Sequence, residues 1–168
     1  MTSTATPPPA RSDRPAGSPE AKVEARLRAA NINPRTGLAT DYLNHFNEAI
    51  MLLEMIPDLP ESAEEFLRWD PRSYREHFMA SNFTGRELAI EAYESADVSI
   101  RAEFDNITSA MTSILTAVGA AMRDVRRNKA RAELAEQATG WLKPLTALAG
   151  GIINGGSEAD VETVMASG

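Results

Sequence analysis

Residues 97–127 read DVSIRAEFDNITSAMTSILTAVGAAMRDVRR, and their apolar side chains recur at steps of three and four. This spacing places them along one stripe of an α-helix. The stripe consists of Ile100, Phe104, Ile107, Met111, Ile114, Val118, Met122 and Val125. No charged residue lies between Asp105 and Arg123. The sequence therefore predicts a long central helix over about 97–127 or longer, with a helical bundle built around it.

The face of this helix away from the stripe carries small neutral residues, among them Thr112, Thr116 and Ala120. Small side chains allow a second backbone to approach, so these three residues are candidates for an interface. Asp97 is the predicted N-cap, because its carboxylate can accept backbone N–H groups of the first turn. The sequence leaves open whether the helix continues as far as Gly140.

A second helix is predicted over DYLNHFNEAIMLLEMI, residues 41–56, with Thr40 as its N-cap and a proline directly after it. Its second half is apolar nearly all round, because Met51, Leu52 and Met55 fall opposite the main apolar face. A helix of this kind is buried on two sides, either inside the fold or in a subunit interface. We assign these three residues to a predicted homodimer interface.

Three short helices are expected between the two long ones, and this region holds six of the ten aromatic residues. Short helices need such anchors because intrinsic propensity alone leaves them marginal. The predicted spans are 62–69, with Ser62 and Glu65 as a capping box; 71–80, with Asp70 before Pro71; and 84–95, with Thr84 and Glu87 as a second capping box. The fold class is all-α.

The two ends of the chain have a different composition. Residues 1–20 hold five of the ten prolines, which predicts a disordered tail. Residues 154–168 are rich in glycine and acidic side chains, and we expect a flexible acidic tail. The single helical domain is therefore predicted over 21–153, ending in one short helix within 141–153.

The composition excludes several classes of function. The chain has no cysteine, which excludes disulfides, thiolate zinc sites and cysteine nucleophiles. Its net charge of −7 argues against nucleic-acid binding through the overall field. No secretory or bilayer-spanning pattern occurs, so a cytoplasmic protein without a membrane partner is expected.

One basic patch interrupts the acidic background. Its five cations fall within nine residues, but on a helix they spread over more than half the circumference, and no aromatic residue is interleaved for stacking on bases. The patch consists of Arg123, Arg126, Arg127, Lys129 and Arg131. It fits an exposed helix end or an acidic protein partner better than nucleic acid.

The two histidines, His45 and His77, are the natural candidates for chemistry. With Glu54 they could line a pocket for a ligand, a metal or a haem. A di-iron carboxylate bundle would need Glu-x-x-His pairs, and tyrosines stand three residues before both histidines. A second alternative is histidine phosphotransfer through His45, although Glu48 one turn on would repel a phosphoimidazole.

Glu54 itself lies in an apolar segment, MLLEMIP, where a carboxylate needs a partner. We expect an ion pair with Arg68, Arg72 or Arg75. No catalytic, metal or nucleotide motif occurs in the chain, and no cofactor is implied. The leading hypothesis is therefore a non-enzymatic helical interaction or regulatory module that self-associates as a homodimer.

Overall fold

A computed structural model describes residues 17–155, and this part of the chain is all-α. It contains seven α-helices and one short 3-10 helix, with no named strand among the described residues. The α-helices are α1 Pro19–Ala29, α2 Leu43–Met55, α3 Ser62–Leu67, α4 Tyr74–Ala80, α5 Arg86–Glu94, α6 Val98–Asp124 and α7 Asn128–Ile153; the 3-10 helix, Thr40–Tyr42, leads directly into α2. Most of both predicted tails, residues 1–16 and 156–168, lies outside the described residues.

Helices α6 and α7 form the most extensive helix contact, and α2 packs along α7. The chain turns sharply at residues 125–127, so α7 returns alongside α6. Lys143 pairs with Glu54, and Gly150 faces Leu43, which sets α2 antiparallel to α7. The core lies between these three helices, and its largest fully buried side chains include Phe46, Phe104, Met111, Leu115, Met122 and Leu142.

The prediction of a long central helix is confirmed by α6. Asp97 caps it as expected, because its Oδ1 accepts the N–H groups of Ser99 and Ile100 at 2.9 and 3.2 Å. The helix ends at Asp124, however, so the possible extension to Gly140 is wrong. The guanidinium of Arg131 donates to the last carbonyls, at 2.7 Å to that of Met122, and so closes the helix end.

The last helix is longer than the sequence predicted. A short helix was expected within 141–153, but α7 begins at Asn128 and continues through Pro144. A proline inside a helix leaves the carbonyl four residues earlier without its N–H partner. Here that carbonyl belongs to Gly140, which is exposed and open to water.

The three short helices exist, but their predicted start signals do not operate. Ser62 and Thr84 make no cap bond, because α3 and α5 begin with Glu61 and Gly85 at the cap positions. The signal at Asp70 also fails, since α4 starts at Tyr74. Helix α4 has a capping box instead: the Ser73 hydroxyl accepts the Glu76 N–H at 3.1 Å, and the Glu76 carboxylate accepts the Ser73 N–H at 2.8 Å.

Candidate functional site

The fold brings the two histidines together in an aromatic cluster that joins α2 to the residues between α3 and α4. The His45 and His77 ring centroids lie 6.1 Å apart. Trp69 stacks on His45 at 4.6 Å, and Tyr42 contacts both imidazoles. We call Tyr42, His45, Trp69 and His77 the histidine cluster. The alternative in which the two histidines share a site named both of them, but the spacing of residues this distant along the chain could not show that Trp69 and Tyr42 join them.

The Nε2 atoms of both imidazoles are engaged in hydrogen bonds. His45 Nε2 accepts the backbone N–H of Arg72 at 3.0 Å, and His77 Nε2 lies 2.9 Å from a carboxylate oxygen of Asp41. An accepting Nε2 carries no proton. Burial, and then electrostatic repulsion from His77 and Arg72, lowers the pKa of His45 to about 4, so its imidazole is neutral at neutral pH.

This geometry bears on histidine phosphotransfer. His45 is 6% exposed, so its ring lies within the fold rather than on a docking face. A phosphoryl group on Nε2 would have to displace the Arg72 amide. The imidazole is therefore placed to anchor the residues between α3 and α4.

Glu54 does not join the histidines. It lies nine residues after His45 on α2, which puts the two side chains on opposite sides of the helix. Its carboxylate pairs with Lys143 of α7 at 3.3 Å, so the expected partners Arg68, Arg72 and Arg75 were wrong. Among residues 17–155, no group of three or more His, Asp or Glu side chains is arranged to hold a metal ion.

A polar groove runs beside the histidine cluster, where α4 and α5 meet α6. Its volume is about 520 Å³, and eight of its twelve lining residues carry hydroxyl groups. Tyr93 donates to both carboxylate oxygens of Asp105, at 2.7 and 2.8 Å. We call it the hydroxyl groove; it is lined by Tyr42, Pro71, Arg72, Ser73, Tyr74, Glu76, Tyr93, Asp105, Thr108, Ser109, Thr112 and Ser113.

The three tyrosines of the hydroxyl groove hold their protons firmly. Burial raises the pKa of Tyr42, Tyr74 and Tyr93, and the carboxylate of Asp105 raises that of Tyr93 further. These phenols are therefore hydrogen-bonding groups rather than bases. The sequence hinted at the groove only through the serines and threonines of α6.

The predicted interface residues of α2 separate into two groups. Met51 and Met55 are 55% and 37% exposed, whereas Leu52 is buried in the core of the chain itself. Leu59, 44% exposed, continues the exposed row, since its N–H donates to the Met55 carbonyl at 2.8 Å. We call Met51, Met55 and Leu59 the methionine row.

The small-residue face of α6 is largely uncovered. Thr116 and Ala120 are exposed, whereas Thr112 is half-buried and lines the hydroxyl groove. The Thr112 hydroxyl donates to the Thr108 carbonyl within its own helix at 2.9 Å. These residues therefore border two surfaces, the groove and the open outer side of α6.

The basic patch does not form one surface. Arg131 is buried and donates to helix carbonyls, and it also lies 3.3 Å from Glu64. Arg123 donates to the Leu67 carbonyl at 3.0 Å, which ties α6 to α3. The other members, Arg126, Arg127 and Lys129, are exposed around the turn.

Within residues 17–155, no helix combines the length and the apolar character needed to cross a bilayer. Comparison of the chain with protein-family models, with curated proteins and with solved structures gives no match.

Proposed function

We propose that this protein is a non-enzymatic helical interaction module that self-associates as a homodimer through the methionine row. The observation that carries the proposal is the spacing of Met51, Met55 and Leu59. They lie four residues apart along one side of α2 and the turn after it, and each is more than a third exposed. Single exposed apolar residues are ordinary, but a continuous row indicates a contact surface.

The chemistry of the row suits a second copy of the chain. Two helices that cross about a two-fold axis present the same row to each other, so Met51 and Met55 of one copy pack against Met51 and Met55 of the other. Methionine side chains are flexible and polarizable, which lets them fill such a self-complementary contact. A groove of about 470 Å³ between α2 and α7, lined in part by Met51, offers space for a partner side chain.

The charges beside the row make the association dependent on salt. Glu48, Glu54 and Asp58 are exposed on or next to this part of α2, and Lys143 balances only Glu54. Two copies would therefore repel each other through these carboxylates at low ionic strength. Added salt screens the repulsion, so we expect the dimer to strengthen with salt. A basic partner protein, attracted by these carboxylates, would instead bind more weakly when salt is added.

The test is the native mass of the protein, by native mass spectrometry and by light scattering at moderate salt. We expect a doubled mass for the wild type and a single mass for Met51→Glu and Met55→Glu, with helicity by circular dichroism unchanged. Met79→Glu is the matched control, because Met79 is a 53% exposed methionine on α4. A monomeric wild type would overturn the proposal, and so would a dimer that both α2 variants leave intact.

The same spectra address the other two hypotheses. A ligand, metal or haem held near His45 and His77 would add mass to the native ion that the denatured ion lacks. Histidine phosphotransfer would add an acid-labile phosphate that His45→Gln removes. We also propose that the protein is cytoplasmic, as expected from the sequence. Fractionation of cells that produce the protein tests this location.

A further inference from the structure

The hydroxyl groove has the size of a small-molecule site and lies away from the methionine row. Its volume of about 520 Å³ is within the range typical of small-ligand pockets. Its walls come from α4, α5 and α6, from the residues just before α4 and from Tyr42 of the 3-10 helix, whereas the methionine row belongs to the end of α2 and the turn after it. Binding of a ligand in the groove would therefore not depend on self-association.

Two tyrosines of the groove have already used their only hydrogen-bond donor. The Tyr42 hydroxyl donates to the Arg72 carbonyl at 2.7 Å, and the Tyr93 hydroxyl donates to the Asp105 carboxylate. A hydroxyl has one hydrogen and two lone pairs. Once the hydrogen is committed, each of these oxygens can only accept from a ligand.

Two hydroxyl groups on the α6 side of the groove have also committed their hydrogens. The Thr108 hydroxyl donates to the Asp105 carbonyl at 3.3 Å, and the Thr112 hydroxyl donates to the Thr108 carbonyl at 2.9 Å. Both oxygens therefore present lone pairs to the groove. Ser109 and Ser113, beside them, are exposed side chains that also line it and keep rotatable hydroxyls.

The charges of the groove favour a cation. Asp105 and Glu76 line it against the single positive charge of Arg72, which leaves one net negative charge. Arg101 lies beside Tyr93, with its guanidinium 5.7 Å from the ring centre, but it does not line the groove and donates to the Glu94 carbonyl. An anion would meet these carboxylates and the lone pairs of hydroxyls whose hydrogens are already committed, and an apolar ligand would form no hydrogen bond with those lone pairs.

We propose that the hydroxyl groove binds a small alkylammonium compound of the linear diamine class. An ammonium group has three N–H donors and a positive charge, which matches a half-buried carboxylate surrounded by accepting oxygens. One ammonium group donates to Asp105 and to the hydroxyl oxygens of Tyr93 and Thr108. The second lies at the open side of the groove, towards Glu76.

The first test is calorimetric titration of the whole protein with putrescine, 1,4-butanediol and succinate. These three compounds share a four-carbon chain and differ in whether their ends are cationic, neutral or anionic. We expect saturable binding, with one site per chain, for putrescine alone. Absence of saturable putrescine binding would overturn the proposal, as would equal binding of the neutral diol.

The second test locates the site, because an acidic protein can attract diamines elsewhere on its surface. Amide chemical shifts of the wild type should change with putrescine in residues 105–113 and around Tyr93, and this readout requires no variant. Changes spread over unrelated acidic surfaces would overturn the proposal.

Variants then measure the contribution of the carboxylate. Asp105→Asn keeps an oxygen that can accept from Tyr93 but removes the charge, and we expect about tenfold or greater weakening of putrescine binding. Thr108→Val, which removes one acceptor at nearly constant size, should weaken it less. Glu136→Gln is the control, because Glu136 is an exposed carboxylate on α7. Equal affinities of the three variants would contradict the assigned site.

Discussion

The imidazole of His45 accepts the backbone N–H of Arg72 at 3.0 Å, which holds the residues between α3 and α4 against α2. Two further bonds strengthen the same junction. The Trp69 indole donates to the His45 carbonyl at 2.9 Å, and the Tyr42 hydroxyl donates to the Arg72 carbonyl at 2.7 Å. Because Nε2 acts as an acceptor, the folded junction requires a neutral imidazole.

This relationship predicts how stability depends on pH. In the unfolded chain His45 gains a proton near its ordinary pKa of about 6.5, whereas burial and nearby positive charges lower its pKa in the folded protein to about 4. Between these values the unfolded state binds more protons, so stability falls as the pH drops through this window. We expect His45 to account for a loss of about 3 kcal/mol over this window, measured by urea unfolding with tryptophan fluorescence.

The control for this prediction is His45→Gln. A glutamine oxygen can accept the Arg72 N–H but does not titrate, so the variant should lose less stability than the wild type over the same pH window. Carboxylates elsewhere contribute equally to both proteins and cancel in the comparison. Identical pH dependence of the two proteins would show that His45 does not control the acid sensitivity.

Arg131 should contribute more to stability than any other member of the basic patch, because it is the buried one. Its guanidinium donates to the carbonyls of Met122 and Val125 at 2.7 and 3.0 Å, where α6 ends. We expect Arg131→Met to lower the free energy of unfolding by about 2–4 kcal/mol, because buried carbonyls lose their donor. The loss for Arg131→Lys should lie between those of the wild type and Arg131→Met, since an ammonium cannot reproduce the planar guanidinium fork.

The control is Lys129→Met. Lys129 is exposed, so this variant should change the free energy of unfolding by less than about 0.5 kcal/mol in the same urea experiment. Equal losses at the two positions would contradict this role.

The parts of the fold that could be predicted are those set by local periodicity. The stripe that includes Phe104, Met111 and Met122 specifies α6 within the sequence itself, and these side chains are fully buried. Helix ends depend on distant partners instead. Asp70 followed by Pro71 resembles a helix start, but the backbone of Arg72 is bonded to His45 and Tyr42, which keeps it out of the helix.

The candidate sites were less predictable because they assemble from separate helices. Periodicity placed Met51, Met55 and Leu52 opposite the main apolar face of α2, yet it could not show that α2 packing buries Leu52 and leaves the two methionines exposed. The hydroxyl groove depends on how Tyr93 of α5 reaches Asp105 of α6. A sequence shows that these side chains exist but does not show which of them meet.

Two glycine-to-alanine substitutions should have opposite effects on stability. Gly37 has a φ of +73°, and an added Cβ would lie 2.7 Å from the Ala92 carbonyl oxygen, so we expect Gly37→Ala to cost about 1–3 kcal/mol. Gly140 lies within α7 with nothing within 4 Å of an added Cβ. There the variant Gly140→Ala should stabilise the protein by about 0.5–1 kcal/mol, because alanine restricts the unfolded chain and favours the helix. Thermal unfolding of both variants beside the wild type measures the difference. A loss at Gly140 as well would mean that α7 requires a glycine four residues before Pro144, so that the backbone can adjust around the proline ring.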